Sequence, residues 1–159
     1  MEPDDWYMGL ALEEARAAYA IGEVPIGAVL VSHEGNVVAC GHNMREAWHD
    51  ATAHAEMIAI RDACARLGRW RLSGLTLFVT IEPCPMCAGA LVMSRVDRLV
   101  YGSADVKAGA AESIFCVVNH PALNHRLQVT AGVREEECAG LMRQFFAERR
   151  RSRGSEESK

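Results

Sequence analysis

Leu75–Met93, with the sequence LTLFVTIEPCPMCAGALVM, decides the fold because its character changes twice along its length. Leu75–Ile81 is a mostly apolar run rich in β-branched residues, which is typical of a strand buried on both faces. The Pro-Cys-Pro-Met-Cys segment at 83–87 ends this run, and Ala88–Met93 continues as a helix. A buried strand that turns directly into a helix predicts the α/β class.

The segments on either side extend this pattern. Apolar residues at helical spacing predict helices over 4–20 and about 134–150, and a segment that is apolar nearly all round predicts a deeply packed helix at about 52–67. Because parallel strands need helical crossovers, we expect a three-layer α/β/α fold with a mixed sheet of about five strands. The other predicted elements are strands at Val24–Val31, Val37–Gly41, Arg98–Tyr101 and Leu127–Thr130, an antiparallel turn at 33–36 and a helical turn at Ile114–Val118.

The length of 159 residues fits one domain. We predict a single domain over residues 1–151, followed by a disordered polar tail over 152–159. No apolar run approaches the roughly 20 residues that a membrane-spanning helix needs. The acidic N-terminal sequence MEPDDW is unlike a secretory signal. We therefore expect a cytoplasmic protein that has no membrane partner.

The formal net charge of −4 argues against a broad nucleic-acid-binding surface. The charge is unevenly distributed, however, because five arginines lie between Arg143 and Arg153 beside the single acid Glu148. Such a run is typical of a solvated helix end, where cations also suit the helix dipole. A local phosphate-binding site is the other interpretation, and composition does not decide between the two.

Two of the six cysteines differ from the rest. Cys84 and Cys87 form a Cys-x-x-Cys pair at the strand-to-helix turn, where the helix N-terminus lowers a thiol pKa. The segment His54-Ala55-Glu56 opens the second helix, with 26 residues between Glu56 and Pro83. We expect both segments at one edge of the sheet, where open α/β folds place their ligand sites. The other cysteines are predicted to be small buried hydrophobic residues: Cys40, Cys64, Cys116 and Cys138.

These residues predict a catalytic metal site. One imidazole from His54 and two thiolates from Cys84 and Cys87 form a mixed ligand set that suits Zn²⁺. A zinc site with only three protein ligands leaves a position for water, and zinc lowers the pKa of such a water. Glu56 is predicted to act beside the metal as a general acid–base that moves protons, without being a ligand.

The combination of His-x-Glu with Pro-Cys-x-x-Cys is the signature of zinc-dependent nucleobase deaminases. The chain resembles the bacterial tRNA-specific adenosine deaminases over nearly everything from Trp6 to Arg150. Many deaminases share the zinc motif, so the resemblance to the tRNA-specific ones depends on the later segments. The matching segments are Glu23–Val29, Asn43, Thr52–Glu56, Thr80–Ala90, Tyr101-Gly102, Asp105, Lys107, Gly109-Ala110, His120-Pro121, Asn124-His125-Arg126 and Phe145-Phe146.

The resemblance implies a cytidine deaminase-like fold, a homodimer with one Zn²⁺ per subunit, and conversion of the wobble adenosine of a tRNA anticodon stem-loop to inosine. It also implies that Asn43 and the backbone of Ala55 hold the flipped nucleoside, with Ile26 against the base. The helical spacing between Leu141 and Phe145 favours a core position for Phe145 instead of an RNA contact. The remaining RNA contacts implied by the resemblance are Asp105, Lys107, Phe145, Phe146, Arg149 and Arg150.

Several alternatives remain open. The Cys-x-x-Cys pair could be a redox pair, and a fourth ligand would make the zinc site structural. The chain could deaminate a free base such as guanine, or it could be a noncatalytic zinc-stabilised RNA-binding module, which would have no use for Glu56. The candidate fourth ligands are Cys40, His42 and His49, and the departures from the family pattern are the loop Met44–Trp48, Ala51 in place of a usual Pro, and Cys116 in place of a common Asp.

Overall fold

Five strands form one mixed sheet. The computed structural model describes residues 3–157, and side chains are described for residues 3–154. In chain order the elements are α1 (Pro3–Ala20), β1 (Gly27–Val31), β2 (Val37–His42), α2 (Ala55–Leu67), β3 (Thr76–Ile81), α3 (Pro85–Met93), β4 (Arg98–Ser103), β5 (Gln128–Thr130) and α4 (Glu135–Glu157). The strand order is β2-β1-β3-β4-β5, with β1 antiparallel to β2 and β3, and with β3, β4 and β5 parallel. The predicted five-stranded mixed sheet is confirmed.

The strands direct alternate side chains into two apolar layers. Leu77 and Val79 of β3 pack in the layer that contains α2 and α3. Phe78 of the same strand packs in the opposite layer, with α1 and with Cys138 of α4. All four side chains are at most 3% exposed. This arrangement confirms the predicted three-layer α/β/α fold.

β1 starts later than predicted because the chain turns before it enters the sheet. Pro25 has no N–H group for a strand ladder, and the N–H of Ile26 donates to the carbonyl oxygen of Val24 at 2.9 Å. The strand begins at Gly27, where an added Cβ atom would clash with the carbonyl oxygen of Ala11. Glycine therefore allows α1 to cross directly over β1.

α4 extends beyond its predicted end at 150 and reaches Glu157. Residues 152–157 of the predicted disordered tail are therefore helical, while 158–159, together with 1–2 at the other end, lie outside the described residues. The extension contains no proline, and Gly154 disfavours the helix by only about 1 kcal/mol. Neither α4 nor any other described helix is both long and apolar enough to cross a membrane.

The connection between β4 and β5 is irregular. Ile114–Val118 forms no helical turn there, contrary to the prediction. Cys116 lies on this connection and is exposed, and Cys40 is exposed on the edge strand β2. The prediction that these two cysteines are buried is therefore wrong, because neither an edge strand nor an irregular segment encloses its side chains from all sides.

One edge of the sheet carries the chemistry. β3 and β4 are parallel, so their C-terminal ends meet at this edge, as open α/β sheets require. The antiparallel pairing of β1 brings Gly27 to the same edge, where it pairs with His42 at the end of β2. The chain leaves β3 at this edge and enters α3 through Pro83 and Cys84.

Candidate zinc and active site

Three metal-capable side chains meet at the N-termini of α2 and α3. His54 and Cys84 directly precede these helices, and both have extended backbones, with φ of −82° and −72°. Pro85 takes the first helical position of α3, where its missing N–H group leaves no bond unmade. The His54 Nδ1 atom lies 3.6 Å from the Cys84 Sγ atom and 3.6 Å from the Cys87 Sγ atom. The fold thus joins ligands from two distant segments.

The donor atoms fit a tetrahedral zinc ion. With Zn–N bonds of about 2.0–2.1 Å and Zn–S bonds of about 2.3 Å, such an ion holds nitrogen and sulfur about 3.6 Å apart. The observed distances match this value. Among the described residues, the metal-capable group whose atoms lie within 4.8 Å of one another consists of His54, Cys84 and Cys87. Three protein ligands leave one position for water.

The alternative fourth ligands lie elsewhere. His42 Nδ1 pairs with the Glu14 Oε2 atom at 2.6 Å, between β2 and α1, and Cys40 lines a separate cavity beside these two residues. His49 is exposed on the turn that follows β2. Within the described part of the chain, no fourth protein ligand therefore closes the site. The contact of both sulfurs with one imidazole also favours metal binding over a redox pair.

Hydrogen bonds within the group set the ionisation of its members. The hydrogen bond with Cys87 is the main cause that lowers the pKa of Cys84, and a hydrogen bond with His54 assists it against the effect of burial. The same contact between the cysteines, together with burial, raises the pKa of Cys87. The hydrogen bond with Cys84 raises the pKa of His54. The site therefore presents a thiolate, which is the form of cysteine that binds zinc.

A buried carboxylic acid lies beside the ligands. Glu56 is in the first turn of α2 and is 4% exposed. Burial is the main cause that raises the pKa of Glu56 to about 7. Its carboxyl group also contacts the Cys87 thiol. An acid that titrates near neutral pH is well suited to accept and return a proton.

His54, Cys84 and Glu56 line a cavity of about 190 Å³. Ile26 and Ala55 contribute apolar surface to the wall, and the side chain of Asn43 is buried beside them. The Asn43 Oδ1 atom accepts a hydrogen bond from the N–H of Arg45 at 3.1 Å. Since this bond uses the amide oxygen, the amide NH₂ group is the part of Asn43 that can donate to a ligand. The fold thus brings Ile26, Asn43 and Ala55 to the same cavity as His54 and Glu56, and their roles toward a substrate stay predictions.

Three of the other predicted contact residues, Asp105, Lys107 and Phe146, line a second, wider cavity. It has a volume of about 550 Å³ and adjoins the first, because Ile26 and Asp105 line both. Lys107 lies on its wall, as does Phe146, which is 42% exposed. The Asp105 Oδ1 atom accepts hydrogen bonds from the backbone N–H groups of Lys107 and Ala108, so Asp105 also shapes its own turn.

Phe145 and Arg149 of α4 both make contacts within the chain. Phe145 is 4% exposed and packs edge-on against Tyr19, which agrees with the core position that its spacing favoured. The Arg149 guanidinium lies over the Phe145 ring at 4.9 Å and donates to the carbonyl oxygen of Gly22 at 2.8 Å. Arg150 is exposed. Arg149 therefore links α4 to the connection between α1 and β1.

The segment Asn124-His125-Arg126 also makes contacts within the chain. The His125 Nε2 atom is 2.7 Å from the carbonyl oxygen of Val96, and Arg126 donates to the carbonyl oxygen of Pro121. These bonds fasten the irregular connection next to the start of β4. These hydrogen bonds give His125 and Arg126 a role in the fold that requires no contact with a substrate.

Sequence reasoning assigned no separate role to Glu82. Glu82 is 3% exposed. Its carboxylate accepts hydrogen bonds from the backbone N–H groups of Asp105, Ala111, Glu112 and Ser113, and from the Ser113 hydroxyl. Burial acts to raise the pKa of Glu82, but these hydrogen bonds outweigh it and lower the pKa. The signal in the sequence was an acid directly after a buried strand, a position that needs partners.

Glu82→Gln is expected to lower the free energy of unfolding by about 3 kcal/mol, because the amide NH₂ group cannot accept the backbone N–H bonds that a carboxylate oxygen accepts. Urea unfolding of the zinc-loaded protein measures this loss. The exposed residue Glu34 offers the matched control, since Glu34→Gln should change stability by less than about 0.5 kcal/mol. A loss below about 1 kcal/mol for Glu82→Gln would show that the carboxylate does not hold the 105–113 segment.

A mixed thiolate and imidazole site with an open position, beside a buried acid, defines a class on this fold: the zinc-dependent deaminases. The family comparison agrees, because residues 1–103 match the model of the cytidine and deoxycytidylate deaminase zinc-binding region.

Similarity to individual proteins narrows the class. The chain is 48% identical to a tRNA-specific adenosine deaminase of Bacillus subtilis (strain 168) over 153 residues, which are 96% of this chain and 94% of that protein. A solved structure from studies of A-to-I editing by tRNA:A34 deaminases at the wobble position of transfer RNA superposes with a TM-score of 0.82 and 47% identity, over 86% of this chain and 98% of that one. A guanine deaminase from Nitrosomonas europaea has a TM-score of 0.78 and 26% identity, over 90% and 84%. The chain belongs to the tRNA-specific adenosine deaminase family.

Proposed function

We propose that this protein hydrolytically deaminates the wobble adenosine of a tRNA anticodon loop and produces inosine. The observation that carries the proposal is the buried acid Glu56 beside the three zinc ligands, at a cavity of about 190 Å³. Its relatives with 47–48% identity are tRNA deaminases, whereas the guanine deaminase is only 26% identical. The free-base alternative is therefore not favoured.

The residues of the chain divide the reaction between them. Bound zinc supplies Lewis acidity, which lowers the pKa of a water in the open position toward about 7. Glu56 accepts a proton from the attacking water and delivers it to the ring nitrogen of the base. The new C–O bond forms at the carbon that carries the amino group. The bond between this carbon and the amino nitrogen then breaks. Glu56 takes the remaining proton from the new hydroxyl group on that carbon and passes it to the departing amino nitrogen, so that water and adenosine become inosine and ammonia.

Orientation of the base falls to the cavity wall. In the proposal the Asn43 amide and the backbone of Ala55 hold the base by hydrogen bonds, and Ile26 packs on its face and helps to exclude water. A closed, apolar site strengthens the electrostatic interactions within it. The position of Glu56 at the helix start of α2 places the proton carrier on a rigid element rather than on a loop.

The loop nucleotides next to the flipped base are assigned to the second cavity. Phe146 offers an exposed ring on which a base can stack, while Lys107 and Arg150 offer charge to phosphates. Asp105 joins the two cavities. Phe145 and Arg149 line a separate cavity, where the guanidinium lies over the ring.

We also propose a cytoplasmic homodimer. α3 contains no charged residue, and its side chains include Met93 at 70% exposure. A helix with an uncovered apolar face is favourable to burial against a second copy of the chain. The free thiols of Cys84 and Cys87 suit a reducing compartment.

Synthetic anticodon stem-loops test the function. We expect the zinc-loaded protein to form inosine from a stem-loop with adenosine at the wobble position, and to leave a stem-loop with guanosine there unchanged. Nucleoside chromatography after digestion measures the product, and ammonia release from free guanine and cytidine is measured in parallel. Ammonia from guanine without inosine from the stem-loop would replace the proposal with the free-base reaction. Stem-loop binding without any turnover would indicate the noncatalytic module.

A further inference from the structure

The catalytic cavity is too small to enclose a whole nucleotide. Its volume is about 190 Å³, whereas pockets that enclose a small ligand usually measure about 300–1,000 Å³. His54, Cys84 and Glu56 are among the residues that line it. A flipped nucleotide must therefore leave its ribose and phosphates at the mouth of the cavity.

Among the described residues that line this cavity, Arg45 is the one Lys or Arg residue. It lies at the mouth, where the cavity meets solvent. Its side chain is 50% exposed. Arg45 forms an ion pair with Glu46 at a nitrogen–oxygen distance of 4.0 Å. Such an exposed ion pair contributes little to stability. Glu82 and Asp105, two acids that line the cavity, accept hydrogen bonds from backbone N–H groups. The guanidinium is therefore available to an anion.

The turn that carries Arg45 is anchored on both sides. The N–H of Arg45 donates to the Asn43 Oδ1 atom at 3.1 Å. The carboxylate of Glu23, which is 2% exposed, accepts the N–H groups of Glu46 at 3.2 Å and Ala47 at 2.6 Å. Hydrogen bonds to a charged acceptor are among the stronger ones in proteins. These bonds hold the backbone of Arg45 beside the cavity before any substrate arrives.

We propose that Arg45 binds a backbone phosphate next to the flipped nucleotide, and that this contact makes the enzyme specific for a nucleotide within a strand over a free base. A planar guanidinium fork matches the geometry of phosphate oxygens. A free base carries no phosphate and gains nothing from the contact. The proposal rests on the proposed function, because it assigns a phosphate-bearing substrate to the same cavity.

The test measures binding separately from turnover. In a Glu56→Gln background, which prevents conversion of the substrate, Arg45→Ala should weaken binding of the wobble-adenosine stem-loop by about 10- to 100-fold, as expected for one charge-assisted hydrogen bond. The slope of the logarithm of affinity against the logarithm of salt concentration should become shallower by about 0.7. Arg69→Ala removes an equal charge from an exposed position outside the cavities and should change neither quantity.

The outcomes separate the two proposals. If Glu56-intact protein forms inosine from the stem-loop while Arg45→Ala leaves affinity and salt dependence unchanged, Arg45 is not a phosphate ligand and only the present inference is lost. A weaker affinity with an unchanged salt slope would also overturn the phosphate contact. If the Glu56-intact protein forms no inosine, the proposed function is wrong. Circular dichroism of the Arg45→Ala protein verifies that the fold is intact.

Discussion

Glu56→Gln is expected to reduce the rate of inosine formation by at least about 10²-fold, and by up to about 10⁴-fold, the range typical of general acid–base groups. The amide has nearly the same shape as the carboxyl group but cannot accept the proton of the attacking water. Burial raises the pKa of Glu56 to about 7, so the native side chain can move a proton in either direction near neutral pH. Steady-state assays with the stem-loop measure the change in kcat.

Two further measurements make this result specific. Zinc content should remain near one ion per chain in Glu56→Gln, because the ligand group contains His54, Cys84 and Cys87 but not Glu56. Glu34→Gln, at an exposed position on the β1–β2 turn, should retain full activity. Retained turnover in Glu56→Gln would remove this residue from the proton-transfer role. Loss of zinc together with activity would assign Glu56 to the metal site instead.

Cys87→Ser is expected to abolish most zinc binding and, with it, activity. A neutral hydroxyl is a far weaker zinc ligand than a thiolate, and a site with three protein ligands cannot lose one without a large fall in affinity. Cys87 is fully buried at the start of α3, so no other side chain from solvent can take its place. Metal analysis after dialysis against a weak chelator measures the loss.

The exposed Cys40 provides the matched control. Cys40→Ser removes a thiol of the same type from β2, outside the metal-capable group, and should leave zinc content and activity unchanged. Zinc loss in Cys40→Ser would instead indicate a fourth ligand that the described structure does not place at the site. Unchanged zinc in Cys87→Ser would refute the ligand assignment directly.

Local patterns in the sequence were sufficient to predict the helices and strands that bury apolar residues. The run Leu75–Ile81 and the helical stripe on residues 4–20 predicted β3 and α1 because a strand and a helix repeat with different periods. Boundaries were less accurate where side-chain pattern is weak. The start of β1 depends on the turn around Pro25, and the end of α4 lies in a polar segment that has no apolar stripe to mark it.

The zinc ligands were predictable because metal chemistry restricts residue type and spacing. Few arrangements place an imidazole and two thiolates within reach of one ion. His54 and the Cys-x-x-Cys pair could therefore be predicted as zinc ligands from the sequence. Glu56 was predictable from its place in the His-x-Glu segment of the deaminase signature. The wider contact surface was assigned only by resemblance, and its roles stay predictions.

The α/β class and the candidate zinc chemistry follow from the sequence alone, since periodicity and ligand spacing are properties of neighbouring residues. Which acids are buried became visible only in the folded chain, where Glu23 and Glu82 accept hydrogen bonds from backbone N–H groups of segments far along the chain. The fold also brings Arg149 to Gly22 and Arg45 to the cavity mouth. A side chain's burial and partners depend on which distant segments fold against it, and the residues next to it in the sequence do not specify those segments.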